Sequence, residues 1–341
     1  MFPISILDFV AISGSDTAAQ AIAQTVEVAQ RAEALGYKRY WVPEHHNHLG
    51  LGFTSTEVMM AHLAAATKTI RIGAAGVMLP NHAPLKVAEV FRTLQTIHPG
   101  RIDLGLGRAP GTDPLTAYAL RHGKNADEFA QQAGELLAFL TDSFPADHPY
   151  RDVIAAPQAP SPEVFMLGSS EYGPRFAAVN GLTAVFAHHM SPDLAGPVLR
   201  DYRARFTASE FQSEPYSIVS TIAFVSNDPE IVDAAIATWT LFGDRLRRGE
   251  RGPRASLAEA MEFARTDEFK SRRTDQLQRV VAGSPQQVQE RLDELIDDCQ
   301  ADELVLVCPL GQQEARLRSF ELIAAEAGLV PHAMPSRRIA S

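Results

Sequence analysis

Residues 70–106 read IRIGAAGVMLPNHAPLKVAEVFRTLQTIHPGRIDLGL, and this stretch decides the fold. It opens on an apolar, small-residue run over Ile70–Leu79, of strand length. Pro84 then starts a helical pattern that runs to Ile97, at a position where a missing N–H costs little. Arg101–Leu106 returns to strand character. Strand, helix and strand in this order predict neighbouring parallel strands.

The same alternation continues in both directions. Upstream, Ile4–Phe9 reads as a strand. Ser15, Asp16 and Thr17 offer N-caps for a helix with apolar positions Ala18, Ile22, Val26, Ala29 and Leu35, closed by Gly36. Arg39–Val42 is a second strand, and Ser55–Ala66 a helix capped by Ser55 or Thr54. Downstream, helical pattern fills Pro114–Leu140 with a break near Gly123. Further strands are expected at Val164–Leu167, Thr183–Ala187, Ser217–Val225 and Glu303–Val307. Helices are expected at Pro174–Asn180, Pro192–Phe206, from Pro229, at Pro285–Asp298 under a Ser284 cap, and at Glu314–Ala327. Eight such units predict a (β/α)8 TIM barrel rather than an open doubly wound sheet. The expectation is a single domain over residues 1–341 with an insertion at 241–282, between the seventh strand and the helix that follows. Its middle, DRLRRGERGPR at 244–254, reads as a solvated loop or as a lid over the barrel mouth.

Composition bounds the function. The formal net charge of −10 argues against nucleic acid and anionic membranes as partners, because both need basic patches. Hydrophobic residues make up 45% and charged residues 21% of the chain, as in a globular protein with a large core. The two cysteines, Cys299 and Cys308, make no disulfide framework and lack metal spacing. The N-terminus has no basic region before its apolar residues, and no run reaches the length of a membrane span. A cytoplasmic protein is expected.

In such barrels the chemistry sits at the C-terminal ends of the strands. Asp8 falls at the first. The second runs into WVPEHHNH (41–48), where a histidine facing the pocket would handle protons. A metal site is a rival reading, but adjacent histidines on an extended segment point to opposite sides. The third ends in GAAGVMLP (73–80), small residues that let a flat ligand approach the backbone. Arg108 follows Gly105 and Gly107 at the fourth and calls for an anionic partner. The spacing there does not match a dinucleotide-binding loop. LGSS (167–170) at the fifth makes a plausible phosphate cradle. At the sixth, His188 and His189 face the mouth or bond locally.

Four strings together carry a family resemblance: EHH (44–46), GVMLPNHAPL (76–85), PGRIDLGLGR (99–108) and GSPQQV (283–288). They resemble the bacterial-luciferase-like flavin monooxygenases, from the first strand to the last helix. The resemblance implies a TIM barrel that takes FMN already reduced (FMNH2) from a separate flavin reductase. The flavin then reacts with O2 to give a C4a-hydroperoxide that oxygenates a small organic substrate. By position, it implies that His45 is the proton-transfer histidine. Ala75 and Gly76 would lie against the isoalloxazine, often across a non-proline cis peptide. Arg108, Ser169 and Ser170 would bind the phosphate. It also implies a homodimer through helices beside the second and third strands. Luciferases proper have an acidic residue where Ser169 stands and some have a cysteine where Leu106-Gly107 stand, so light emission on a long-chain aldehyde does not carry over. The rivals are a deazaflavin (F420)-dependent hydride-transfer enzyme, a flavin-binding protein without turnover, and a metal hydrolase built on Glu44–His48.

Overall fold

The computed structural model of the protein describes residues 2–121 and 128–331. Its elements in chain order are β1 (Ile4–Leu7), α1 (Ala18–Leu35), β2 (Arg39–Val42), α2 (Thr56–Ala66), β3 (Arg71–Met78), a 3-10 turn at Leu79–Asn81, α3 (Pro84–Ile97) and β4 (Ile102–Gly107). There follow α4 (Pro114–Arg121), α5 (Phe129–Thr141), β5 (Glu163–Gly168), α6 (Tyr172–Val179), β6 (Thr183–Ala187), α7 (Pro192–Arg205) and β7 (Ser217–Val225). The chain ends with α8 (Pro229–Arg247), α9 (Leu257–Ala264), α10 (Asp267–Gln276), β8 (Val280–Gly283), α11 (Pro285–Cys299), β9 (Glu303–Val307) and α12 (Gln313–Glu326). The break expected near Gly123 lies outside the described residues.

Strands β1 to β7 pair in sequence, β7 pairs with β9, and β9 returns to β1, all in parallel. Among the described residues this closes an eight-stranded parallel barrel, the expected TIM fold. β8 was not foreseen. It is a ninth, four-residue strand that extends only the upper half of β7, from Ile222↔Val280 to Val225↔Gly283.

The helix ring also fixes the extent of the insertion. α11, not α8, packs between α7 and α12 against β7. The helix that starts at Pro229 therefore belongs to the insertion. The excursion begins directly after β7, earlier than residue 241, and includes α8, α9, α10 and β8. Local capping follows the sequence at most ends. Thr17 and Ser284 each form a reciprocal capping box, with Gln20 and Gln287 respectively. At α2, however, Ser55 makes no side-chain cap, and the Thr56 hydroxyl instead donates to Pro43 O at 3.1 Å. No helix among the described residues is long and apolar enough to cross a membrane.

What closes one end of the barrel is a buried ionic knot. Arg39, 3% exposed, reaches from β2 to Asp103 on β4 (2.9 Å), Glu303 on β9 (3.0 Å) and Glu163 on β5 (2.9 Å). Arg71 and Lys38 add two more cations against the same three carboxylates. Ser5 and Tyr216 donate hydroxyls to Glu303. Above the knot lies Trp41, fully buried, its indole N–H on Asp103 Oδ2 at 2.8 Å and its ring edge-on to Phe165 at 5.0 Å. Gly73 makes this layer possible, since a Cβ there would come within 2.5 Å of the indole. With charges balanced and donors satisfied, the floor is sealed, and open space is left at the opposite end.

Replacing Arg39 by Met should destabilise the protein by about 3–5 kcal/mol, because it strips a buried partner from Asp103 and Glu303. Urea denaturation should show a lower midpoint with an unchanged slope.

Candidate active site

A cavity of about 290 Å³ opens at the C-terminal end of the barrel, walled mainly by apolar atoms. All six residues singled out in the sequence line it: His45, Ala75, Gly76, Arg108, Ser169 and Ser170. Strand parity explains the arrangement. On β2 the alternation Trp41, Pro43, His45 keeps one side inward. Trp41 fills the barrel, and Pro43 and His45 wall the cavity.

The Ala75–Gly76 peptide is cis. The β3–β4 register shifts between Ala74 and Val77, and Gly76 and Gly105 face each other there. A Cβ on Gly76 would lie 2.8 Å from the Gly105 carbonyl oxygen, so the wall is bare backbone at this point. Glu44 pins the end of β3 from behind. Its carboxylate, 3% exposed, accepts from Met78 N (2.9 Å), His46 Nε2 (2.7 Å) and His82 Nε2 (2.9 Å). Burial opposes its ionisation, but the bonds from His46 and His82 outweigh it and bring its pKa down to about 2. The same contact raises the pKa of His82 against the effect of burial. The Glu44–His48 cluster is thus a brace between the β2 and β3 loops. Asp8 is committed likewise, to Arg316, Tyr40 and Thr25.

At one end of the cavity, the Arg108 guanidinium lies over the Tyr172 ring, 4.0 Å from its centroid. It makes no ion pair among the described residues. The Ser169 and Ser170 hydroxyls are also uncommitted there, and they sit just before α6, whose first residues, Tyr172 and Gly173, also line the cavity. An arginine without a carboxylate, two free hydroxyls and a helix start are suited to a phosphate. No Asp or Glu lines the cavity among the described residues, although the chain carries 41 of them.

Two imidazoles sit away from the cation. His45 stacks on Phe9, and its pKa is lowered to about 4 by desolvation, with His48 and His46 adding to the effect and Glu44 opposing it. His189 is also lowered to about 4, again first by desolvation, with a backbone hydrogen bond at Ser220 working against it. Both are neutral at pH 7. His189 was left undecided by sequence, but the signal was there. Val185 and Ala187 line the cavity, and two residues on, by the same alternation, so does His189. His188 turns the other way, to Thr221 Oγ1 at 3.3 Å.

Residues 2–301 match the family model of the luciferase-like monooxygenases. A luciferase-like monooxygenase of Escherichia coli (strain K12) is 36% identical over 323 residues, 93% of this chain and 95% of the relative. N-acetyl-S-alkylcysteine monooxygenase of Bacillus subtilis (strain 168) is 32% identical, covering 95% and 98% of the two chains. The crystal structure of apo-MsnO8 superposes with a TM-score of 0.89 at 30% identity, covering 97% of this chain and all of that one. Below 25% identity, the fold alone is shared with two others. One is the FMN-bound oxygenating constituent of 3,6-diketocamphane monooxygenase from Pseudomonas putida (TM-score 0.69, 98% and 100% covered). The other is an F420-dependent secondary alcohol dehydrogenase (TM-score 0.64, 97% and 98% covered).

Glu44→Gln should cost about 3 kcal/mol of stability at pH 7, from a drop of two to three units below the ordinary 4.5. A depressed carboxylate stabilises fully above its unfolded pKa, so the wild-type advantage should be complete above about pH 4.5 and vanish as pH falls through about 2. Denaturation midpoints of the two proteins, compared at pH 7 and pH 3, check both the size and the sign.

Proposed function

Because the chain belongs to the luciferase-like monooxygenase family, we propose that it is a flavin-dependent monooxygenase. In this reading it binds reduced FMN at the C-terminal ends of its strands, uses it with O2 to oxygenate a small organic substrate, and receives it from a separate flavin reductase. The carrying observation is the polarity of the cavity: one unpaired cation with two free hydroxyls at one end, neutral and mostly apolar walls at the other, and no carboxylate lining it. The residues present fit the cofactor. Arg108, Ser169 and Ser170 would hold its phosphate, and the bare backbone at Ala75–Gly76 would lie against the flat ring.

Bound reduced FMN would supply the electrons and the O2 chemistry. The chain's own residues do the rest. His45, neutral at pH 7, would move a proton between the pocket and the cofactor face. The apolar walls would keep water from the reacting groups, which strengthens every polar contact inside. We read residues 1–341 as one domain in which the excursion after β7, with 241–282 at its centre, serves as the lid.

Two measurements test the reading. Mixing the protein with reduced FMN and air in a stopped-flow spectrometer should give flavin reoxidation slower than in buffer and responsive to substrate. Reoxidation at the buffer rate would overturn the oxygenase reading, and tighter binding of the reduced deazaflavin than of reduced FMN would replace it with hydride transfer. Arg108→Met should weaken anaerobic reduced-FMN binding by about 10–100-fold, the size of a lost charge-assisted bond. His45→Ala should leave that affinity intact while slowing turnover.

A further inference from the structure

The segment 249–256, between α8 and α9, lies against the loops that follow β1 and β2. Arg254 N donates to Ile12 O at 2.8 Å, Gly14 N to Arg254 O at 3.0 Å, and Gly50 N to Arg251 O at 3.2 Å. The strap is therefore tied to the loops after β1 and β2 by backbone bonds, and it is not a free loop.

Arg254 is the anomaly in this strap. Its side chain is 7% exposed and makes no ion pair among the described residues. Its Nη1 donates to two carbonyl oxygens at the end of β9, Cys308 O at 3.2 Å and Pro309 O at 3.0 Å. The guanidinium then lies between two rings, 5.7 Å from the centroid of Phe9 and 5.5 Å from that of Phe242 on α8. A buried cation without a carboxylate is costly, and a methionine would fill the space without that cost. What an arginine adds is a flat, rigid plate that stacks on aromatic faces while its edge donates hydrogen bonds.

His45 shows what the plate acts on. Neither of its ring nitrogens has a hydrogen-bond partner among the described residues, and Nδ1 is buried. No polar contact fixes the tilt of this ring. Its defined neighbour is Phe9, stacked at 5.5 Å and 27°. Phe9 in turn has Arg254 against it. His45, Phe9, Arg254 and Phe242 thus form one chain of contacts that joins the ends of β2 and β1, the strap and α8.

We propose that Arg254 is a positioning residue for His45, holding the imidazole through Phe9 in its orientation and in its dry setting. The proposal rests on the reading of His45 as the proton-handling group, but its test needs no flavin. The charged and titratable groups around His45 are Glu44, His46 and His48 on its own segment, Asp8 at the end of β1, Arg108 and His189 on the cavity walls, and Arg254 behind Phe9. Of these, the test changes Arg254 alone or removes the ring between Arg254 and His45.

The His45 Cε1–H signal, assigned by its absence in His45→Asn, is titrated by NMR in the flavin-free protein. In wild type it should titrate near 4. In Arg254→Met the midpoint should rise by about one unit or more toward the ordinary value, as water reaches the ring. Arg254→Lys keeps the charge and loses the plate, so it should move the midpoint in the same direction. Phe9→Leu, which spares the bonds from Arg254 to Cys308 and Pro309, should do so as well. Reduced-FMN affinity should stay within about threefold of wild type in Arg254→Met and Arg254→Lys, because Arg254 is not among the residues that line the cavity. A purely structural role would lower Tm without moving the His45 midpoint. Wild-type midpoints in folded Arg254→Met and Phe9→Leu would overturn the proposal, as would a shift in Arg254→Met that Arg254→Lys abolishes, since charge alone would then account for it. If Arg254→Met does not fold, Phe9→Leu decides. A shifted His45 in a protein that fails to slow flavin reoxidation would sink the oxygenase reading and leave this one standing.

Discussion

One guanidinium holds the barrel together at its base. Arg39 ties β2 to β4, β5 and β9 through three carboxylates, and Arg71 and Lys38 balance the charge. A barrel has two open ends, and polar atoms buried at either need partners. Here the N-terminal end is filled by a satisfied ionic layer with Trp41 and Phe165 stacked above it. The space that strand geometry leaves inside is thereby pushed to the C-terminal end, where the loops are free to carry chemistry.

The cavity that results has a simple electrostatic plan. Acidic residues outnumber basic ones along the chain, yet none lines this space among the described residues. The carboxylates at the ends of β1 and β2 are engaged in place: Glu44 by two histidines and a backbone amide, Asp8 by Arg316 and two hydroxyls. Desolvation keeps His45 and His189 uncharged. What remains is a field with one positive pole at Arg108, which sets the direction in which an anionic ligand would lie.

Much of this was legible in the sequence because it rests on short-range patterns. The strand and helix alternation, the Thr17 and Ser284 caps, and the small residues at 73–76 all state their structural meaning locally. Those features gave the barrel and the strand-end segments, and the family resemblance then picked out the six cavity residues. β8 was missed because Val280–Gly283 is four residues long and runs straight into the Ser284 cap, so it carries no period of its own. The place of α8 was not legible, because its sequence is helical wherever the helix packs. Only tertiary contacts reveal that α11 holds the wall position. Arg254 lay inside a run that reads as a solvated, basic loop. Its burial depends on Phe9 and Phe242, rings distant from it in the chain or one helix away, which no local pattern links.

The course of the excursion has its own consequence. The chain leaves β7 at Ser226 and comes back at Gly283, and the two meet directly, with Ser226 N on Gly283 O at 3.1 Å. Its ends are therefore held by β7–β8 pairing rather than by anything in between. The entropy of closing such a loop grows only slowly with its length. Changes of length within residues 257–279 should accordingly cost the barrel's register and floor little, whereas β8 and the strap at 249–256 are held to β7 and to the loops after β1 and β2. The excursion thus joins a stretch free to vary in length to a strap that bears on Phe9 and, through it, on His45.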